Sequence, residues 1–536
     1  MISPEGRPIS QEGIPIWRHI GPTPVSEASA APALVTIVGT GPVGLALAID
    51  LGMRGHDVLV LGRFDFVAAG SKAICFSKRT LDILDRLGIG EAAASKGVGW
   101  NVGKVFWQDR ADPVFQFDML PVKDQKMPGF INLPQYHLED LLLERLAQFP
   151  NVDLRWGHEV VGMSPDAAGA ELSVRTAKDN YAVRTDWVVA CDGCRSPIRR
   201  MLGLLFEGRE FEDNFLIADI RMKGERPAER WFWFDPPFNP GQSALMHRQP
   251  DDVWRLDFQL GRDIDRDECV KPENVDPLIR ALLGDDVEYE PEWYSVYSFQ
   301  CRRMARFVHE RIVFAGDSAH LVSPFGARGC NGGLADIDNL GWKLDLVLRG
   351  EVGPQLLEHY NHEAIVTADE NILNSTRSTD FLTPKSKVSG IFRDAVLELA
   401  TEFSFARGLV NSGRLSTPIA YPMSALNTPD ADDWEGGIAP GSPCLDAPFG
   451  EGWLLEKLGN TFVVLSHGDI PGLPGNVPLI DVARTSPSDL LRSRYGLEES
   501  GSAYLIRPDQ YVAARWKSAS ARTISSALAR AKGNCE

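Results

Sequence analysis

At 536 residues, with 73 acidic against 55 basic side chains and a formal charge of −18, the chain is long enough for two or three domains and strongly acidic. That balance argues against a nucleic acid or an anionic membrane as partner, because both select basic surfaces. No apolar run approaches the ~20 residues that span a bilayer, no basic-then-apolar leader opens the chain, and the eight cysteines are too scattered for a disulfide framework, so a soluble cytoplasmic protein is expected.

Residues 1–33 carry prolines at 4, 8, 15, 22, 24 and 32 and read as a surface arm, with Trp17 and Ile20 as candidate anchors. Leu34 to Val38 is an apolar strand. Gly39-Thr40-Gly41-Pro42-Val43-Gly44 follows, then a helix to about Arg54 and a second strand from Val58 to Leu61. This is G-x-G-x-x-G in its strand–turn–helix setting, where Gly39, Gly41 and Gly44 serve the turn, the approach of a pyrophosphate and helix packing, and Pro42 opens the helix. The ribose-binding acid expected after the second strand is replaced by Gly62-Arg63. Asp65 is a candidate substitute, Arg63 a candidate to stack on adenine, and Asp65 as a plain solvated acid an equal alternative.

Leu133-Pro134-Gln135 opens a helix with Leu138, Leu141, Leu142 and Leu146 on its core face. Trp187 to Ala190 is a buried strand ending in Cys191-Asp192-Gly193-Cys194-Arg195-Ser196; the C-x-x-C spacing is a redox signature in other settings, and no dithiol chemistry is expected of it here. From about 205 to 300 the apolar period becomes two. Trp254, Leu256, Phe258 and Leu260 alternate with Arg255, Asp257 and Gln259, and further strands read from Trp231 to Phe234, Ala244 to Arg248 and Trp293 to Phe299. An antiparallel sheet with one aromatic-rich face results, suited to roof a flat ligand. His247, Arg255, Tyr294 and Tyr297 are its polar candidates.

Ile312 to Ala315 is a short buried strand that delivers Asp317 at its end, where open α/β sheets bind ligands. Glycines at 326, 329, 332 and 333 let backbone approach a flat group, and an amphipathic helix through Leu334, Ile337, Leu340, Leu344 and Leu348 starts there. A strand, an acid, a glycine-rich loop and a helix start suit a polyol joined to an electron-poor ring, as in a flavin. Helices continue to about 420. Residues 429–536 begin with an Asp-, Gly- and Pro-rich linker and alternate strands with short helices.

Gly316-Asp317-Ser318-Ala319-His320, with Pro324-Phe325-Gly326 and Asn339-Leu340-Gly341-Trp342-Lys343-Leu344, closely resembles the second FAD motif of single-component flavin-dependent aromatic hydroxylases. This is the para-hydroxybenzoate/phenol hydroxylase class, and the chain looks like its 3-(3-hydroxyphenyl)propionate hydroxylase-like branch from about residue 34 to 425. The resemblance implies FAD as cofactor, NADH or NADPH as cosubstrate, and hydroxylation of a small phenolic compound by O2 through a flavin hydroperoxide. It implies flavin contacts from Lys72 (where the class carries an Arg), Gln135, Asp192-Gly193 and Asp317, and from Pro324, Gly326, Gly329, Cys330 and Asn331. His247, Arg255, Tyr297 and Pro324 are then the residues expected beside the reacting ring.

The expected architecture is α/β: an arm (1–33), a Rossmann-like FAD domain in two parts (34–204 and 301–428), an antiparallel substrate sheet (205–300) and a linker with a thioredoxin-like unit (429–536). A homodimer is compatible with that unit. An enzyme that epoxidises or oxidises a non-phenolic ring, and a flavin-fold binding protein without turnover, are the alternatives.

Overall fold

The computed structural model describes residues 8–11, 14–70, 73–118, 122–222, 226–410, 418–484 and 489–534. Its first sheet has eight strands. Val152–Trp156, Val58–Gly62, Ala33–Val38 and Asn180–Ala190 run parallel, and Gly169–Arg175 and Glu159–Asp166 extend the edge antiparallel. Ile312–Phe314 joins Asn180–Ala190 in parallel, with Val188 opposite Ile312 and Ala190 opposite Phe314. The central strands read VLVLG and ALVTIV because both of their faces are covered. One cover is the helix Pro42–Met53, in which Leu45 through Ile49 and Leu51 have no exposed surface. It is apolar all round because the helix Gly329–Leu348 lies against its other side. A Cβ at Gly44 would fall 2.1 Å from the Gly39 oxygen, so only glycine lets this helix start so close to the turn.

The second sheet has seven strands, in the order Tyr289–Tyr297, Phe215–Met222, Val253–Gln259, Ser243–Arg248, Arg230–Phe234, Val102–Trp107 and Phe115–Asp118. The last two come from ahead of residue 205, and Val102–Trp107 pairs in parallel with Arg230–Phe234. The sheet therefore reaches beyond the 205–300 stretch expected from sequence. Its outer face, with Leu216, Ile220, Met246, Trp254, Leu256 and Phe258, packs on Val275 and Ile279 of the helix Pro272–Leu283. This corrects the expected orientation: in Val253–Gln259 the apolar residues point away from the cofactor half. The alternate set, Arg255, Asp257 and Gln259, points inward, in register with Asp219, His247, Arg230, Phe232 and Phe234.

Beyond the helix Leu356–Leu382 a four-stranded sheet, ordered Leu479–Asp481, Val463–Ser466, Ala503–Ile506, Val512–Trp516, pairs its first two strands in parallel and the others antiparallel. It docks on the cofactor half through buried charge. Arg507 donates to both Glu363 oxygens at 2.7 and 2.9 Å, and Lys343 donates to Glu363 at 2.7 Å. Trp342 Nε1 donates to Asp509 at 3.0 Å. The arm is more ordered than expected: Ile16–His19 is a strand paired with Phe66–Ala68. Trp17 anchors it, stacked on Tyr136 at 4.2 Å and donating to Asp140 at 2.7 Å, whereas Ile20 is exposed.

Candidate functional site

Three adjacent parallel strands end side by side and deliver Gly39, Asp192 and Asp317. Gly39 has φ +121°, and a Cβ there would lie 2.2 Å from the Cys191 oxygen, so the first turn and the middle turn touch through bare backbone. Gly41 is the N-cap of Pro42–Met53; no side chain caps that helix, and nothing lies within 4 Å of where its Cβ would be. Uncapped amides facing open space at a helix start are an anion site, and Pro42 gives up only an N–H that the helix would leave unpaired.

The missing acid has a steric cause. A Cβ at Gly62 would sit 2.6 Å from Thr40 Cγ2 and 3.3 Å from the Arg155 oxygen. The Arg63 guanidinium lies over Phe64 at 4.9 Å with Nε 3.5 Å from Glu159, and the Asp65 carbonyl accepts the amides of Ile20 and Gly21.

Asp192 accepts the Ile198 amide through Oδ2 at 3.0 Å, while Oδ1 is buried with no partner among the described residues. Burial raises its pKa above the ordinary carboxylate value, against the hydrogen bonds from Ser196 and Ile198. Gly193 has φ +79° and open space around its Cβ position. Arg199, which sequence reasoning missed, donates to the carbonyls of Ser318 and Cys194, both at 2.7 Å, and so ties the middle turn to the Asp317 turn. Asp336, also missed, accepts the Gly316 amide at 2.9 Å and His320 Nε2 at 2.7 Å through one oxygen. Asp317 itself is exposed at the strand end. Cys191 is buried and Cys194 exposed, both as free thiols.

In the glycine-rich loop Pro324 is exposed, Phe325 is buried, and Gly326 and Ala327 have φ +107° and +51°. The helix that begins at Gly329 has no side-chain cap. Asn331 spends its amide on protein: it accepts from the Ser77 amide and Thr80 Oγ1 at 3.0 and 2.6 Å, and donates to the Cys75 carbonyl at 2.9 Å. It fastens the loop to Cys75–Ser77. Cys330 is raised by burial, with Asp317 and Glu139 adding to the shift. Gln135 accepts the Ala73 amide at 3.3 Å and donates to Glu139 at 2.8 Å. Lys72 lies outside the described residues.

Opposite this loop is the inner face of the seven-stranded sheet. One end is apolar: Val105, Phe117, Phe232, Phe234, Phe325, Gly326, Phe381 and Leu382 line a cleft. The other end is polar and incompletely paired. Arg255, expected to meet substrate, has its fork closed on Asp219 at 2.7 and 2.6 Å. Arg230, not anticipated, lies over Phe232 at 5.1 Å with Nη1 3.5 Å from Cys75 Sγ, and its Nε has no partner among the described residues. His247 is buried with neither ring nitrogen partnered among the described residues; Nε2 is 4.0 Å from Asp257, too far for a hydrogen bond. Burial, then Arg230 and Arg255, hold His247 well below its ordinary pKa, so it is neutral. Gln249 is buried with both amide atoms unpartnered among the described residues. Burial, with Asp219 adding and Arg255 and Arg230 opposing, pushes Asp257 up to about 6. Burial and then Asp257 keep Tyr297 a protonated donor. Tyr294 belongs to the outer core instead.

The residues present fit FAD. An open glycine cradle fronts an uncapped helix start, a buried carboxylate oxygen lacks a partner beside it, and a second uncapped helix start closes the loop.

Residues 33–375 match a family model described as FAD binding domain. The chain is 29% identical over 418 residues to the 12-dehydrotetracycline 5-monooxygenase/anhydrotetracycline 6-monooxygenase of Streptomyces rimosus, covering 74% of this chain and 80% of that one. It is 29% identical over 374 residues to the 3-(3-hydroxy-phenyl)propionate/3-hydroxycinnamic acid hydroxylase of Escherichia coli, covering 68% of this chain and 64% of the relative's length. Its fold is similar to that of the flavin-dependent monooxygenase PieE, solved with FAD and substrate, at a TM-score of 0.80 and 22% identity over 94% of this chain and 99% of that one. Among the described residues no helix is long and apolar enough to cross a membrane.

Proposed function

The chain belongs to the FAD binding domain family, with FAD as its cofactor, and we propose that it hydroxylates an aromatic compound bearing an ionisable oxygen, using O2 and NADH or NADPH. The observation that carries this reading is the two-ended inner face of the sheet. Apolar rings at one end face the glycine loop, and Arg230, neutral His247, Gln249 and protonated Tyr297 at the other have hydrogen-bonding capacity to offer. The Arg230 guanidinium lies 5.1 Å from the Phe232 ring, and Phe234 stands about 7 Å further along the same strand. A phenol with an apolar extension spans that distance.

When bound, FAD supplies the redox chemistry, taking two electrons from the nicotinamide and passing one atom of O2 to the ring while the other leaves as water. The chain's own residues do the rest. Amides at the Gly41 helix start hold the pyrophosphate. Arg230 stabilises the substrate's oxyanion, which makes the ring electron-rich. His247 stays neutral between two guanidiniums and donates one N–H to the same oxygen. Phe232, Phe234 and Phe325 orient the ring and exclude water, which strengthens the Arg230 contact. Residues 205–300 with the two recruited strands serve substrate in this reading, and the 429–536 unit braces the helices beneath.

The test is anaerobic flavin reduction by NADH and NADPH across phenols, phenolic acids and polycyclic phenols. A true substrate should accelerate reduction by about 10-fold or more, roughly 1.4 kcal/mol of barrier, and yield a hydroxylated ring with O2. Reduction equally fast without any aromatic, with peroxide as sole product across the panel, would sink the proposal.

A further inference from the structure

The helix Lys387–Glu402 buries one side and exposes another. Leu397 and Ala400 face inward, in the core that holds Phe234 and Phe325 behind the apolar cleft. On the other side Val388, Ile391, Phe392 and Leu399 are 76, 61, 58 and 41% exposed, and Phe403, Phe405 and Leu409 continue this surface at 47, 65 and 51%. At 3.6 residues per turn Val388, Phe392, Ala395 and Leu399 form one stripe. Single exposed apolar residues are ordinary; seven large ones within residues 388–409 are not. Together they offer on the order of 700 Å2, close to the ~800 Å2 that each partner brings to a standard interface.

We propose that this face pairs with the same face of a second copy of the chain, the two Lys387–Glu402 helices packing antiparallel about a two-fold axis. Two features favour a second copy over other occupants. Ala395 sits near the middle of the stripe, where a two-fold brings the helices closest and a small side chain allows it. Lys387, Glu398 and Glu402 are all exposed and lie along one flank of the stripe at opposite ends. In an antiparallel pair a flank meets its own copy reversed, so Lys387 of one chain falls beside Glu402 of the other. These acids and the net charge of −18 oppose an anionic lipid surface, for which an amphipathic helix carries basic flanks.

Sedimentation velocity on the FAD-loaded full chain between about 0.1 and 50 μM tests this. The expected species has twice the 59.1 kDa mass of the chain. Phe392→Asp should weaken association about 100-fold or more, as loss of a central anchor does, with flavin content and far-UV dichroism unchanged. Lys387→Glu and Glu402→Lys should each weaken it about 3- to 10-fold, and an equimolar mixture of the two variants should recover it. A monomer at the highest concentration, or a dimer that Phe392→Asp leaves intact, would overturn the proposal. So would binding to phosphatidylglycerol vesicles that Phe392→Asp abolishes in a chain that never self-associates. Failure of the mixture to recover association would overturn the antiparallel arrangement.

Discussion

Two clusters of buried charge in this molecule differ in how completely they are paired. Under the cofactor half, Asp50 is flanked by Arg54 and Arg86; Arg86 also donates to Asp338, which receives Arg79 as well. Arg507 and Lys343 close on Glu363. Burial alone would raise Asp50, yet Arg54 and Arg86 outweigh it and hold the pKa at about 2. On the inner face of the substrate sheet, burial wins instead. Asp257 rises to about 6, His247 stays neutral, and five polar atoms of Arg230, His247 and Gln249 have no partner among the described residues. A fully paired network fixes one element against another, whereas an unpaired one costs about 1–3 kcal/mol per group and persists where a ligand completes it.

The contrast can be broken most strongly from the paired side. Arg507→Ala leaves Glu363 and Asp509 buried without their guanidinium, and should cost about 3–5 kcal/mol. Thermal unfolding should show the 429–536 unit melting earlier, with flavin lost later or not at all. On the substrate side the sign reverses. Asp257 has a folded pKa of about 6 against an ordinary 3.8, so its contribution to stability is present below pH ~4 and lost as pH rises through ~6. Asp257→Asn should therefore stabilise the protein at pH 7.5 by about 2–3 kcal/mol, with the gain gone near pH 4. Asp50 behaves oppositely: its contribution is present above pH ~4 and fades toward pH 2, about 2 kcal/mol in urea titrations across that window. The smallest effect is expected from His247→Leu. Removing two unpartnered nitrogens should stabilise by about 1 kcal/mol or leave stability unchanged, while KM for the true phenol rises. Loss of stability in that variant would contradict the assignment of His247 to ligand rather than to the core.

The cofactor half was legible because its chemistry is local: a strand, a turn and a helix start lie within ten residues at Val38 to Leu47, and again within 22 residues at Ile312 to Gly333. What was not legible depends on distant partners. Arg255 and Arg230 look alike in the sequence, and only the register with Phe215–Met222 shows that Asp219 has claimed the first and left the second. The period of two in Val253–Gln259 gave two faces without saying which one looked inward; the helix Pro272–Leu283 decides it. Asn339 and Lys343, part of a motif that resembles a flavin signature, hydrogen-bond to Glu363, which Arg507 joins from 144 residues further along the chain.

The insertion of Ile312–Phe314 beside Asn180–Ala190 has a consequence for how the chain is made. The strand that carries Asp317 pairs with one more than 120 residues earlier in sequence, and five of the seven strands of the substrate sheet lie between them. On a ribosome adding about 5–20 residues per second, the first half of the cofactor sheet is exposed for many seconds with that position unfilled. Closing so long a loop is entropically slow. The nascent chain can therefore pair the cofactor-sheet strands made before residue 312 while the Asp317 turn of the cradle is still missing.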